Sequence, residues 1–364
     1  MSGPTPTPAP TLLVLVFVLV ACGRDPAQVR WDRAFDAAID TIPSDPAAAE
    51  VTLDALAGQA PRAVDEGAAR LELARLALSQ GRTLDAARRF RTLAEHARRQ
   101  DDRARAYYEL GRLAEATAHE PAAKLIYRNL VGTYPNLMPG ERALAHLLRI
   151  ARAEGPAAVD AHLAWTRSLA DTLAHTALGD DLLYQAADES QRRAELTQRP
   201  SDWARTEALY RRLADGPRTP LWNDAVWELS WIYHRQARYL EEVAAIETIL
   251  RTREAISLFG QDEHPYYWTG QLRIARLQLI ELANPIAAIE AYLRYAEMFP
   301  LTIKKDDVRF FALCAALQLA ERNEADSLAA LIRREHPDSR FIRRIEPAYA
   351  DPRGPHCTPP EVER

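Results

Sequence analysis

Between residues 27 and 342, apolar side chains recur at helical spacing in blocks of roughly 12 to 17 residues, and no alternating stretch is long enough to predict a strand. The pattern predicts an all-α chain of about eight helix pairs. The most legible unit begins at Ala104. Tyr107, Leu110, Gly111 and Ala114 share one face of its first helix, and Ala123, Tyr127 and Leu130 share one face of its second. Tyr134-Pro135 then stops the second helix, because proline has no N–H to donate and clashes with the preceding turn. Small residues at 111 and 123 let the two helices cross closely, while the aromatic and Leu positions fill the space around the crossing. Pro121, Pro156 and Pro285 stand where second helices should begin, and Asn284 is a good N-cap. Residues 172–220 fit the period poorly, with Leu196 to Asp202 reading as a loop, so an array over 27–171 is set apart from another over 221–342. In 343–364, Pro347, Pro352, Pro355, Pro359 and Pro360 stand among few apolar residues, which predicts a flexible tail.

The Ala104 unit resembles the tetratricopeptide repeat, which places an aromatic, Leu-Gly, small residues, an aromatic and Pro within about 34 residues. Leu73-Ala74, Gly81, Ala86 and Phe90 match at the same offsets, as do Ala288, Tyr292 and Pro300, then Ala325 and Pro337. A further unit starting near Asn223 gives Leu229, Ser230, Tyr233 and Tyr239 but has Glu242 where Ala belongs, which asks for a one-residue shift of register. The resemblance implies a right-handed α-solenoid with a concave groove lined by the first helix of each pair. Counted from Asn223, it puts Val226, Leu229, Ser230 and Tyr233 inside the array. Asp224, Trp227, Trp231, His234 and Arg235 then face the groove, and the same count from Ala104 adds Tyr108 and Arg112. Two tryptophans beside an Arg are residue types found at interface hot spots, although Trp222, Trp227 and Trp231 also suit solenoid packing.

Residues 12–20, LLVLVFVLV, are nine consecutive apolar residues that cover roughly 14 Å as a helix, about half a bilayer core. This reads as the apolar region of a signal peptide over 1–21, with no Lys or Arg before it. It runs into Leu19-Val20-Ala21-Cys22-Gly23, which resembles the bacterial lipoprotein box. That resemblance implies diacylglycerol on Cys22, a short lipidated linker over 22–26, and multiple acyl chains that anchor stably. Gly23 in place of Asp implies the outer membrane, facing the periplasm.

The 364 residues are 48% hydrophobic and carry 46 basic against 51 acidic side chains, which argues against disorder and against nucleic-acid binding. The basic residues are 43 Arg and three Lys, and the Arg-rich run from Arg88 to Arg105 is diluted by Glu95, Asp101 and Asp102 into a solvated face. No phosphate-loop, dinucleotide, zinc-protease or serine-hydrolase motif is present, so no cofactor, metal or small-molecule substrate is expected. Glu241-Glu242 and Asp306-Asp307 project about 100° apart around a helix, which suits solvation better than a catalytic pair. Cys314 lies in an apolar helix as a small hydrophobe and Cys357 in the tail; an oxidising compartment permits a bridge, whose Cα separation sequence cannot test. The expected function is a lipid-anchored periplasmic scaffold for other envelope proteins, similar to the repeat lipoproteins of barrel assembly. An alternative is the helical part of a peptidoglycan-processing system, resembling lytic transglycosylases, in which a catalytic domain would lie elsewhere.

Overall fold

A computed structural model describes residues 25–252 and 265–361. Among the described residues there are 17 α-helices and no strand. The expected signal peptide over 1–21 and Cys22 lie outside them.

The first sixteen helices form eight pairs. These are α1 (Pro26–Thr41) with α2 (Pro46–Gly58), α3 (Ala63–Ser79) with α4 (Thr83–His96), α5 (Gln100–Ala116) with α6 (Glu120–Thr133), and α7 (Met138–Glu154) with α8 (Pro156–Thr172). They continue as α9 (Ala177–Thr197) with α10 (Pro200–Ala214), α11 (Trp222–Arg235) with α12 (Tyr239–Leu250), α13 (Pro265–Ile280) with α14 (Pro285–Met298), and α15 (Lys305–Gln318) with α16 (Arg322–Glu335). The fold is an α-solenoid of helix-turn-helix repeats. It divides into two compact units whose boundary falls between His146 and Leu147, inside α7. Proline opens α1, α2, α8, α10, α13 and α14, and the side chains of Asp25, Asp45 and Asn284 accept backbone N–H groups at the starts of α1, α2 and α14.

One turn recurs through the chain. Gly81, Ala118, Ala237 and Ala320 take the left-handed conformation. The N–H of the residue after each donates back to the carbonyls of Ala77, Ala114, Tyr233 and Ala316, at 2.8–3.0 Å. This is the 6→1 bond of a helix C-cap, and it sets the angle at which each second helix returns. Five positions beyond the left-handed residue stand Ala86, Ala123, Glu242 and Ala325, and Ala288 stands at the same distance from left-handed Ala283; all five are fully buried. The repeat is therefore in register through α12. Glu242 occupies the alanine site itself, and the one-residue shift expected from sequence does not occur.

Two further expectations are corrected. Residues 172–220 hold the regular pair α9 and α10, joined by Gln198 and Arg199 alone, with Gln198 left-handed. The period is stretched because α9 runs 21 residues against 17 for α5 and α7. The tail over 343–364 is packed as far as Pro359. Phe341, Ile345 and Ala348 bury one face of α17 (Ile342–Ala350), a 3-10 turn follows over Pro355–Cys357, and Cys357 is disulfide-bonded to Cys314 with their Cα atoms 5.6 Å apart. Prolines stop helix propagation but not burial, and here a crosslink 43 residues long closes the C-terminal segment onto α15.

Candidate functional site

In the first unit, Tyr108 and Arg112 both lie on α5. Tyr108 is half-buried and its hydroxyl sits 3.0 Å from His146 Nε2, while His146 Nδ1 lies 3.0 Å from Glu115 Oε1. Arg112 is exposed and pairs with Glu109 at 3.2 Å. Behind them, Gly111 provides the close crossing expected from sequence, since a Cβ there would lie 2.4 Å from the Tyr127 ring.

In the second unit the predicted groove residues separate by depth. Arg235 is exposed, with its guanidinium 4.6 Å from the Trp203 ring centroid. Asp224, Trp231 and His234 are half-buried. Trp227 is 3% exposed, which corrects its assignment to an open groove. It is sandwiched by α13: Tyr266 stacks on its ring at 4.5 Å, and Tyr266 donates to Asp224 at 2.8 Å, fixing the stack from the other end. Gly270 gives α13 the room to approach, because a Cβ there would lie 2.6 Å from Ile246 and 3.6 Å from Trp227. Burial, helped by the bond to Asp224, raises the Tyr266 phenol well above its ordinary pKa.

Beneath Trp231 lies a charged cluster. Glu242 is fully buried and pairs with Arg273, itself 3% exposed, and its other oxygen lies 2.8 Å from His234 Nδ1. The Arg273 guanidinium stacks 3.4 Å from the Trp231 ring centroid and reaches Ser230 Oγ at 3.4 Å. Burial holds the Glu242 carboxyl above the usual carboxylate range, against the lowering pull of Arg273 and His234. The Glu241-Glu242 pair is therefore only half solvated. Glu241 is exposed and paired with Arg238, while Glu242 closes an internal ion pair. Similarly, Asp307 is half-buried beside Arg340 at 3.2 Å, and desolvation raises its carboxyl pKa.

Next to Trp227 opens a cavity of about 530 Å³ lined by the first helices α11, α13 and α15 and, through Tyr292, by α14. Trp227, Tyr266, Trp268, Tyr292 and Phe311 form its aromatic wall, with Lys304, Arg276, Asp307 and Glu361 as its charged groups. Trp268 is 37% exposed, and Lys304 Nζ sits 5.1 Å from its ring centroid. The Tyr292 hydroxyl is buried with no hydrogen-bond partner among the described residues. The C-terminal segment completes the wall through Pro359, Pro360 and Glu361. Sequence reasoning placed the groove on α11 and missed α13, whose Tyr266-Tyr267-Trp268 run was the available signal. Among the described residues, no three His, Cys, Asp or Glu side chains are grouped to hold a metal ion, and no helix is long and apolar enough to cross a membrane.

No family profile and no curated protein sequence matches the chain. Solved structures similar to it are repeat proteins. One is a tetratricopeptide repeat protein from Parabacteroides merdae, with a TM-score of 0.29 and 12% identity over 76% of this chain and 96% of that one. Another is the C-terminal part of a TPR repeat-containing protein from Cytophaga hutchinsonii, with a TM-score of 0.34 and 12% identity over 85% of this chain and 98% of that one. A third is the TPR domain of P58(IPK), with a TM-score of 0.27 and 13% identity over 88% of this chain and 98% of that one.

Proposed function

We propose that this chain is a non-catalytic scaffold of the bacterial envelope, anchored through acylated Cys22 at the periplasmic face of the outer membrane, that binds other envelope proteins through the first-helix face of its second unit. The observation that carries the binding part is the aromatic cavity lined by α11, α13, α14 and α15, with Trp268 left exposed at it. Large aromatics that remain accessible beside buried ones are the side chains on which protein interfaces concentrate binding energy. Leu301 and Ile303, 96% and 93% exposed just before the cavity residue Lys304, add apolar surface close by. The sequence LVAC after a short apolar run supports the anchor.

A photo-crosslinking residue at position 268, with the chain in its native membrane, tests the binding face. Envelope proteins should crosslink there and not from position 240, a more exposed site on α12, a second helix. Equal yields from both positions would overturn the assignment of the face. Separately, Cys22→Ala should abolish fatty-acid labelling and leave a precursor of higher mass; persistent labelling would remove the anchor from the proposal.

A further inference from the structure

The cavity beside Trp227 is lined in part by the chain's own C-terminal segment. Pro359 is buried, and with Pro360 and Glu361 it lines the same cavity as the aromatic side chains of α11, α13, α14 and α15. Residues 358–361 have no helical or turn assignment, as a Pro-Pro step requires: each proline lacks an N–H and favours extended polyproline geometry. Aromatic-lined grooves are the sites that recognise such segments, because stacked rings accept the flat pyrrolidine faces at little entropic cost. The segment has not drifted there. Cys357, 2% exposed and bonded to Cys314 on α15, fixes the chain two residues before Pro359, which limits the reach of that proline to roughly 7 Å. About 530 Å³ of space remains beside the segment, so it walls the site without filling it. Arg276 is taken up by Glu281 at 2.8 Å and Asp307 by Arg340 at 3.2 Å, so Lys304 is the lining cation that favours an acidic residue next to the prolines, as Glu361 is in the chain's own segment.

We infer that this cavity is a proline-recognition site, held in cis by Pro359-Pro360-Glu361 under the Cys314–Cys357 disulfide, and that it takes an extended Pro-Pro-acidic segment of a protein partner when the cis segment leaves. The inference rests on the reading that the first-helix face binds proteins, and it names the chemistry of the partner.

Fluorescein-labelled peptide TPPEVER, the chain's own residues 358–364, is the probe, and TAAEVER is its control. A tethered segment presents itself at an effective concentration of millimolar order, so it should weaken a competing peptide of tens-of-micromolar affinity by about tenfold or more. Fluorescence anisotropy should therefore show weak binding of TPPEVER to the oxidised full chain. Binding to the Pro359→Gly/Pro360→Gly variant should be at least tenfold tighter, with at least tenfold preference over TAAEVER, and adding Trp268→Ala should abolish it. An opened variant that binds TPPEVER no better than the parent chain, or no better than TAAEVER, overturns the inference. Should the glycine variant fail to fold by circular dichroism, millimolar TPPEVER on the parent chain must slow amide exchange in α13, and unchanged exchange is equally decisive against it. Envelope proteins still crosslinked from position 268 after a negative peptide result would leave the scaffold reading standing without the proline specificity. A positive peptide result without such crosslinks would do the reverse.

Discussion

Replacing Glu242 by the alanine that the repeat carries elsewhere should destabilise the second unit. At the equivalent sites Ala86, Ala123, Ala288 and Ala325 a methyl group fills the crossing, so repeat sequence alone would favour Glu242→Ala. Arg273 reverses that expectation. It is 3% exposed, and Glu242→Ala takes away the carboxylate that pairs with its guanidinium, leaving the 3.4 Å contact to Ser230 Oγ and the Trp231 ring without that opposite charge. A buried charge stripped of its partner costs about 3–5 kcal/mol. Arg273→Met alone leaves Glu242 facing His234, and its effect should depend on pH. The Glu242 carboxyl already holds its proton to higher pH in the folded chain than in the unfolded one, because of burial. The folded state thus binds more protons between the ordinary carboxylate pKa and the raised folded value, and stability falls as pH rises through that window. Removing Arg273 should widen the window, so that this variant recovers on acidification toward the ordinary carboxylate range. The double variant Glu242→Ala/Arg273→Met removes both charges and should recover at least half of the loss in Glu242→Ala, offset by about 2 kcal/mol for the missing cation–π contact. Urea titrations read by tryptophan fluorescence report on this region directly, since Trp227 and Trp231 flank the pair. A loss below about 1 kcal/mol in Glu242→Ala, or a double variant no better than the single, would refute the reasoning.

Other perturbations follow from the same geometry. Gly111→Ala already places a Cβ 2.4 Å from the Tyr127 ring, so both it and Gly111→Leu should destabilise the first unit by about 1–3 kcal/mol, read from its urea midpoint, despite better helix propensity. Conversely, Ala118→Gly, Ala237→Gly and Ala320→Gly relieve side chains at positive φ; each should raise stability by up to about 1 kcal/mol in thermal melts, and a uniform decrease would contradict the shared turn. Cys314→Ala/Cys357→Ala opens a loop of 43 residues and should cost about 2–4 kcal/mol, with protease cleavage appearing first after residue 350. Trp227→Ala removes a buried ring stacked on Tyr266 and should cost about 3–5 kcal/mol by denaturant titration; an unchanged midpoint would restore it to the exposed surface.

Local regularity was legible because it is written at short range. Gly111 against Tyr127, proline at helix starts and Asn284 as a cap each depend on a few neighbouring residues, and the structure places all of them where the spacing does. What the spacing could not reach depends on pairs far apart in the chain. Trp227 sits at a groove position by helical count, yet whether it meets solvent is decided by Tyr266, 39 residues later, closing over it from α13. The order of the tail rests on Cys314, whose burial in an apolar helix looked sufficient in itself. Glu242 is the more instructive case. A charged residue on a site that requires a small apolar one is either a register error or a buried charge, and a buried charge demands an opposite partner. Arg273 is such a partner, on an α13 stripe that it shares with buried Gly270, Ile274 and Leu277. Two conflicts with the local pattern on different helices resolve each other, and they do so beneath Trp231, on the helix that supplies Trp227 to the aromatic cavity. Departures from a repeat thus locate the part of the array where side-chain chemistry has been bent to something other than stacking, provided they are read in pairs.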